Sequence, residues 1–138
     1  GSSVKRIPAG SLLMVVRGMI LAHSFPTALT TAEVTVNQDM KALLPFDGRL
    51  APFLLVASKG SKGRVLDVVE RSTHGTCKLP TTSLLTLPLG IPPLAEQQRI
   101  VAKVDALMAL LDGLDERLRA AHDTQAAFAA AAVHHMDA

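Results

Sequence analysis

Five cations, Lys59, Lys62, Arg64, Arg71 and Lys78, bracket two polar segments, Lys59-Gly60-Ser61-Lys62-Gly63-Arg64 and Ser72-Thr73-His74-Gly75-Thr76. Phosphate binding needs cations on segments that can approach a polyanionic backbone, and this arrangement meets that need. The second segment adds the hydroxyls of Ser72, Thr73 and Thr76 and the imidazole of His74, groups suited to base edges or phosphates. Each pattern also has a plain structural explanation. The charges can be a solvated face, and the turn can satisfy its own backbone. Arg17, inside an apolar run, is explained first as an ion-pair partner of Asp39 or Glu33, with a contact to a polyanion left open. Asn37-Gln38-Asp39 is explained as a cap before it is explained as a reader.

Other chemistry finds little footing. The lone Cys77 cannot build a disulfide framework and fits a reducing compartment. Its distance of three residues from His74 is a thin basis for a nucleophile. His134 and His135 are adjacent, so on a helix they point about 100° apart, a poor metal pair. No Gly-rich strand-to-helix turn of the nucleotide-binding kind occurs. The chain is expected to be non-enzymatic, with no catalytic residue, no metal and no cofactor.

The segments that must hold the polar groups are short. Ser11–Leu21 is predicted to be a buried strand, kinked or split at Arg17-Gly18. Ala32–Val36 alternates as a half-buried strand does. Asn37-Gln38-Asp39 is predicted to cap a helical turn over Met40–Leu44, closed by Pro45. Leu50–Ser58 is predicted to be a helix with Pro52 in its first turn and Gly60 beyond its end. Lys59–Arg64 follows as a flexible basic loop, and Val65–Glu70 as a short helix or strand. Thr81 and Thr82 can cap a helical turn, and Leu85–Ile91 is predicted to return to strand. The first two-thirds is therefore α+β.

After Ile91-Pro92-Pro93 the pattern changes. Ile100, Val104, Leu107, Leu111, Leu114, Leu118, Ala121, Gln125, Phe128, Ala132 and His135 follow alternating spacings of four and three. Sustained over about five heptads, this predicts a coiled-coil helix. Forty residues at helical rise extend roughly 60 Å, longer than a ninety-residue globule is wide. Most of that seam must meet another helix. Glu96 suits the helix dipole, and Gln97, Gln98 and Arg99 are either a solvated face or a contact to a partner.

Charge divides at the same place. Residues 1–91 hold ten Lys/Arg against five Asp/Glu, and residues 92–138 hold four against seven. A basic globule (1–91) joined to an acidic helix (92–138) suits an anionic partner for the first part and a protein partner for the second. The longest apolar run is far too short to span a bilayer, which with the single cysteine predicts a cytoplasmic protein without membrane contact.

The junction Ile91-Pro92-Pro93-Leu94-Ala95-Glu96-Gln97-Gln98-Arg99-Ile100-Val101 closely resembles that of the specificity (S) subunits of type I restriction–modification systems. In that family a target-recognition domain ends in "PLPPLAEQQRIV" and continues into a long conserved helix. Val16-Arg17-Gly18, Val36-Asn37-Gln38-Asp39 and Ser72-Thr73-His74-Gly75-Thr76 fit the family in the expected order. The resemblance implies a DNA target-recognition domain, with Lys59, Lys62, Arg64, Arg71, Ser72, Thr73, His74, Thr76 and Lys78 as candidate contacts to double-stranded DNA. It also implies methyltransferase (modification) and restriction subunits as partners, directed to a bipartite site. Family members carry two recognition domains and two conserved helices, and this chain shows one of each. It is accordingly expected to be a C-terminal fragment or half-subunit, lacking the N-terminal part of the recognition domain. Its helix, deprived of an intramolecular partner, is expected to pair antiparallel with a second copy through Ile100, Val104, Leu107, Leu111, Leu114, Leu118 and Phe128.

The partner subunits of this family methylate adenine, but the chain's Pro92-Pro93 lacks the polar residue and the aromatic ring of the amino-methyltransferase motif. The competing reading is a coiled-coil interaction module whose basic head binds protein instead of DNA.

Overall fold

The computed structural model describes residues 5–72 and 75–136. Its contacts separate a first unit, Gly1–Val101, from a second, Ala102–Ala138. The architecture is α+β: short strands and helices, followed by one long helix.

In the first unit, β1 (Arg6–Ile7) pairs antiparallel with β4 (Val34–Thr35). Next, β2 (Leu12–Val15) is the central strand of a three-stranded antiparallel sheet between β3 (Thr27–Leu29) and β5 (Met40–Leu43). Leu12 faces Leu29 on one side and Leu43 on the other. Alternation puts Leu12 and Met14 of β2 into the core, and Val16 continues that face. The predicted strand Ser11–Leu21 therefore holds only in its first half. Gly18 takes φ +132°, a value that L side chains rarely adopt, and the chain turns there into a 3₁₀ turn, Met19–Ala22.

The helical turn expected over Met40–Leu44 is instead β5. Asn37 Oδ1 accepts from the Asp39 amide at 3.1 Å, and the Met40 amide donates to the Asn37 carbonyl at 3.3 Å. These bonds reverse the chain and bring Met40–Leu43 alongside β2. An isolated helical turn has a costly nucleus, whereas the sheet pairs every residue of this segment at once.

Then α1 (Ala51–Gly60) begins with Pro52 in its first turn, as expected, though Gly60 closes the helix instead of following it. Lys59–Arg64 is not a loop. The Ser61 amide donates to the Ala57 carbonyl and the Ser61 carbonyl accepts from Val65, each at 3.0 Å, so the backbone passes almost directly into α2 (Lys62–Asp67). A hairpin of two-residue strands follows, β6 (Glu70–Arg71) against β7 (Cys77–Lys78). Thereafter α3 (Thr81–Thr86) starts from Pro80 with no side-chain capping bond. The strand expected over Leu85–Ile91 does not form: Leu85 and Thr86 complete α3, and residues 87–93 are neither helix nor strand. Pro88, Pro92 and Pro93 have no amide to give a ladder.

The core gathers Leu12, Met14, Val16, Leu21, Phe25, Leu50, Leu54, Val65, Cys77 and Leu79. Finally, α4 runs Leu94–Met136 without a break at Gly113. The side chains of Ala132 and His135, expected on its seam, lie outside the described ones. A β-carbon at Gly113 would meet nothing within 4 Å. Gly113→Ala is therefore expected to stabilise the helix by up to about 1 kcal/mol, seen as a raised melting temperature in circular dichroism at 222 nm. A lowered one would show that another backbone approaches there.

Candidate nucleic-acid interface

The β6–β7 hairpin carries most of the candidate polar groups. Its turn is closed by the Ser72 amide donating to the Thr76 carbonyl and the Gly75 amide donating to the Ser72 carbonyl, each at 2.9 Å. The Ser72 hydroxyl accepts from the Thr76 amide at 3.1 Å. Ser72 thus has a structural task, and its hydroxyl proton stays available for an acceptor. Gly75 sits at φ +81°, which the turn requires. Arg71, Ser72, Thr76 and Lys78 are all exposed. Thr73 and His74 lie outside the described residues.

The preceding strand holds the hairpin in place. Gly18 N–H donates to the Cys77 carbonyl at 3.0 Å and Leu79 N–H to the Val16 carbonyl at 2.8 Å, which sets Arg17 opposite Lys78. Arg71 Nη2 donates to the Ala22 carbonyl at 3.2 Å, tying the hairpin to the 3₁₀ turn. Arg17 is half-exposed, with Nε 3.9 Å from Asp39 Oδ1, a loose pair in the direction the sequence indicated; Glu33 pairs with Arg6 instead. Arg17, Lys78 and Glu70, paired across the three strands, therefore point to one side of the hairpin, while Arg71, opposite the buried Cys77, points to the other, toward the 3₁₀ turn.

Lys59, Lys62 and Arg64 are exposed but stand elsewhere, at the α1–α2 junction. Arg64 donates to the Pro88 carbonyl at 3.0 Å and to Ser61 Oγ at 2.9 Å, holding the segment after α3. With Lys41 it also lines a cavity of about 410 Å³ whose other walls include Leu12, Met14, Phe25 and Leu85. The contacts described do not bring these three cations to the hairpin.

Sequence reasoning missed two features. Met19 and Ile20, expected inside a buried strand, are 63 % and 39 % exposed beside the hairpin. The signal was Gly18, whose freedom to turn the chain decides which way the next residues face. Gln97, read as solvated or partner-facing, is 4 % exposed. Its Nε2 donates to the Pro92 carbonyl at 2.7 Å, while Oε1 is buried with no donor among the described residues. The amide locks the start of α4 onto the segment that precedes it.

Along α4, Ile100 and Val104 are half-buried, and Leu107, Leu111, Leu114, Leu118 and Phe128 are exposed. The seam is present and its outer part is bare. Among the described residues no three His, Cys, Asp or Glu side chains are placed to hold a metal, and no helix is long and apolar enough to cross a membrane.

Over most of its length the chain is similar to a segment of a type I restriction enzyme specificity subunit, so the resemblance carried by the junction motif is shown. The relative is the EcoR124I/EcoR124II specificity subunit of Escherichia coli, 34 % identical over 119 residues; the match takes in 85 % of this chain and 29 % of that protein. The chain thus corresponds to well under two-thirds of its relative. No protein-family model matches it.

Glu96 accepts two bonds from the Arg99 guanidinium, at 2.8 and 2.7 Å. These hold its carboxyl below the ordinary value of 4.5. A carboxyl with a lowered folded pKa stabilises the fold above its unfolded pKa and loses that contribution as pH falls through the folded one. Asp47, bonded by Arg49, acts in the same sense. Both pairs are largely solvated, so the effect is small. Glu96→Gln is expected to flatten part of the acid limb of stability, followed as melting temperature from neutral to acid pH. An unchanged profile would show that the pair does nothing for the helix start.

Proposed function

We propose that the chain is a DNA sequence-recognition module of a type I specificity subunit, which directs methyltransferase and restriction subunits to a bipartite site. One observation carries this reading: a chain similar to such a subunit holds the exposed Arg71, Ser72, Thr76 and Lys78 on one hairpin, with Arg17 paired beside it. On this reading Arg71, Lys78, Lys59, Lys62 and Arg64 neutralise phosphates, and Ser72, Thr73, His74 and Thr76 face bases or phosphates. The module is non-catalytic, needs no cofactor, and works in the cytoplasm.

The helix supplies assembly. Each leucine of its seam gains about 1.5–3 kcal/mol when fully buried, which favours a partner helix over exposure of a contiguous apolar stripe. The nearest substitute for an intramolecular partner is a second copy, giving a two-fold antiparallel homodimer that suits a symmetric, interrupted DNA site. A protein-interaction module with a basic head is the competing reading, favoured only by the engagement of Arg64 with Pro88 and Ser61.

Duplex binding is expected at low salt and is expected to fade toward physiological salt, because few base contacts are available. Arg71→Ala with Lys78→Ala should weaken it and lower the salt slope by about 2, one per phosphate contact. Indifference of duplex binding to these changes, or no binding at low salt, would favour the competing reading. For assembly, light scattering should give a dimer for the wild-type chain and a monomer for Leu107→Glu with Leu114→Glu. A wild-type chain that stays monomeric at high concentration would sink the homodimer.

A further inference from the structure

The 3₁₀ turn Met19–Ala22 shows two large apolar side chains to solvent while Leu21, in the same turn, is 1 % exposed. That exposure is built into the fold. The turn is fixed at its start by the Gly18–Cys77 bond and at its end by Arg71 on the Ala22 carbonyl. Met19 extends over the hairpin: a β-carbon at Gly75 would lie 4.0 Å from both its Sδ and Cε. Met19 and Ile20 are therefore held in the turn that Arg71 reaches, two and three residues past the exposed Arg17, an apolar pair bordered by cations.

Cations alone serve a phosphate backbone, and two apolar side chains add nothing to that contact. Two side chains are also too few for a stable protein interface, whose apolar patches run to hundreds of Å². Charge complementarity with the bordering cations points to DNA. In the major groove of a duplex the apolar group that such side chains can touch is the thymine C5-methyl, and that groove admits a two-stranded ribbon such as β6–β7.

We propose that Met19 and Ile20 are specificity-determining residues that contact thymine methyl groups in the major groove. The inference rests on the DNA-recognition reading above and adds to it what is read: a methyl group, by van der Waals contact, in place of a hydrogen-bonding edge.

The test uses the full chain and sequences enriched by it from a randomised duplex pool at low salt, each remade with uracil for thymine. Uracil keeps every hydrogen-bonding group and lacks only the methyl. The wild-type chain should bind the thymine duplexes more tightly, by about fourfold per contacted methyl. Met19→Ala with Ile20→Ala should erase that preference and leave the salt slope unchanged. Lys78→Ala should lower the slope and keep the preference. Equal wild-type binding to the thymine and uracil duplexes overturns the methyl contact and leaves DNA recognition standing. A preference that survives the Met19/Ile20 change also overturns the assignment. Absence of any duplex binding at low salt overturns the DNA-recognition reading itself, and this inference with it.

Discussion

The antiparallel pairing of Val16–Gly18 with Cys77–Leu79 is the contact on which the first unit depends. It joins segments about sixty residues apart, and a closure of that length carries an appreciable entropic penalty. Two short backbone bonds cannot offset this alone, since each nets only about 1 kcal/mol. Burial does so. Val16, Leu21, Cys77 and Leu79 are each at most 5 % exposed, and they pack with residues of β2, α1 and α2. A hairpin of two-residue strands would not persist in isolation. The polar turn at its tip therefore takes its position from the hydrophobic core behind Cys77 and Leu79, and the cysteine acts as a small apolar residue there.

A second constraint acts at the start of α4. Pro92 and Pro93 cannot give an amide to a strand, so the chain before the helix has no ladder to join. The Pro93 carbonyl instead accepts from the Glu96 and Gln97 amides at 2.9 and 3.1 Å, and the Pro92 carbonyl takes the Gln97 side chain. Both proline carbonyls are thereby satisfied by the first turn of the helix. Replacement of Gln97 by a shorter polar residue would leave the Pro92 carbonyl without that donor. Glu96 and Arg99 close the same turn on its solvated side. These bonds explain in physical terms why the motif is confined to one short run of sequence.

The long helix and the helix around Pro52 were legible because their signals are local: apolar spacing, a proline in the first turn, and charge near the ends. The elements that were misread depend on distant partners. Met40–Leu43 has a cap-like prefix and becomes a strand only because β2 stands ready beside it. Leu85–Ile91 has strand-like residues, but no neighbour pairs with its proline-rich backbone. Lys59–Arg64 has the composition of a loop, yet Ser61 carries the hydrogen bonding across it. At the candidate interface, residue types were legible and their grouping was not. Arg71, Ser72, Thr76 and Lys78 share a hairpin, as their proximity in sequence allowed. Arg17, Met19 and Ile20 join them only through the Val16–Gly18 pairing, and Lys59, Lys62 and Arg64 are held apart on another junction. Gln97 looked polar and was buried, because a side-chain amide can serve a carbonyl that a proline-rich segment leaves unpaired.

Charge and apolar surface are distributed in opposite senses along the chain, and the proposed division of labour follows from that. The residues before Pro92 carry the net positive charge, while the helix carries net negative charge and the exposed leucines. A polyanion is attracted to the first and repelled by the second, with a range of about 8 Å at physiological ionic strength. That repulsion leaves the seam of α4 available for a helix, since a duplex gains little from leucines and is disfavoured by Asp105, Asp112, Asp115, Glu116 and Asp123. Arg117 and Arg119 moderate the effect locally, Arg119 being paired with Asp115 at 2.7 Å. Hydrophobic association at the seam, in contrast, is not screened by salt. Under the proposed function the two kinds of binding therefore respond to different conditions: ionic strength controls hold on DNA, and apolar burial controls assembly.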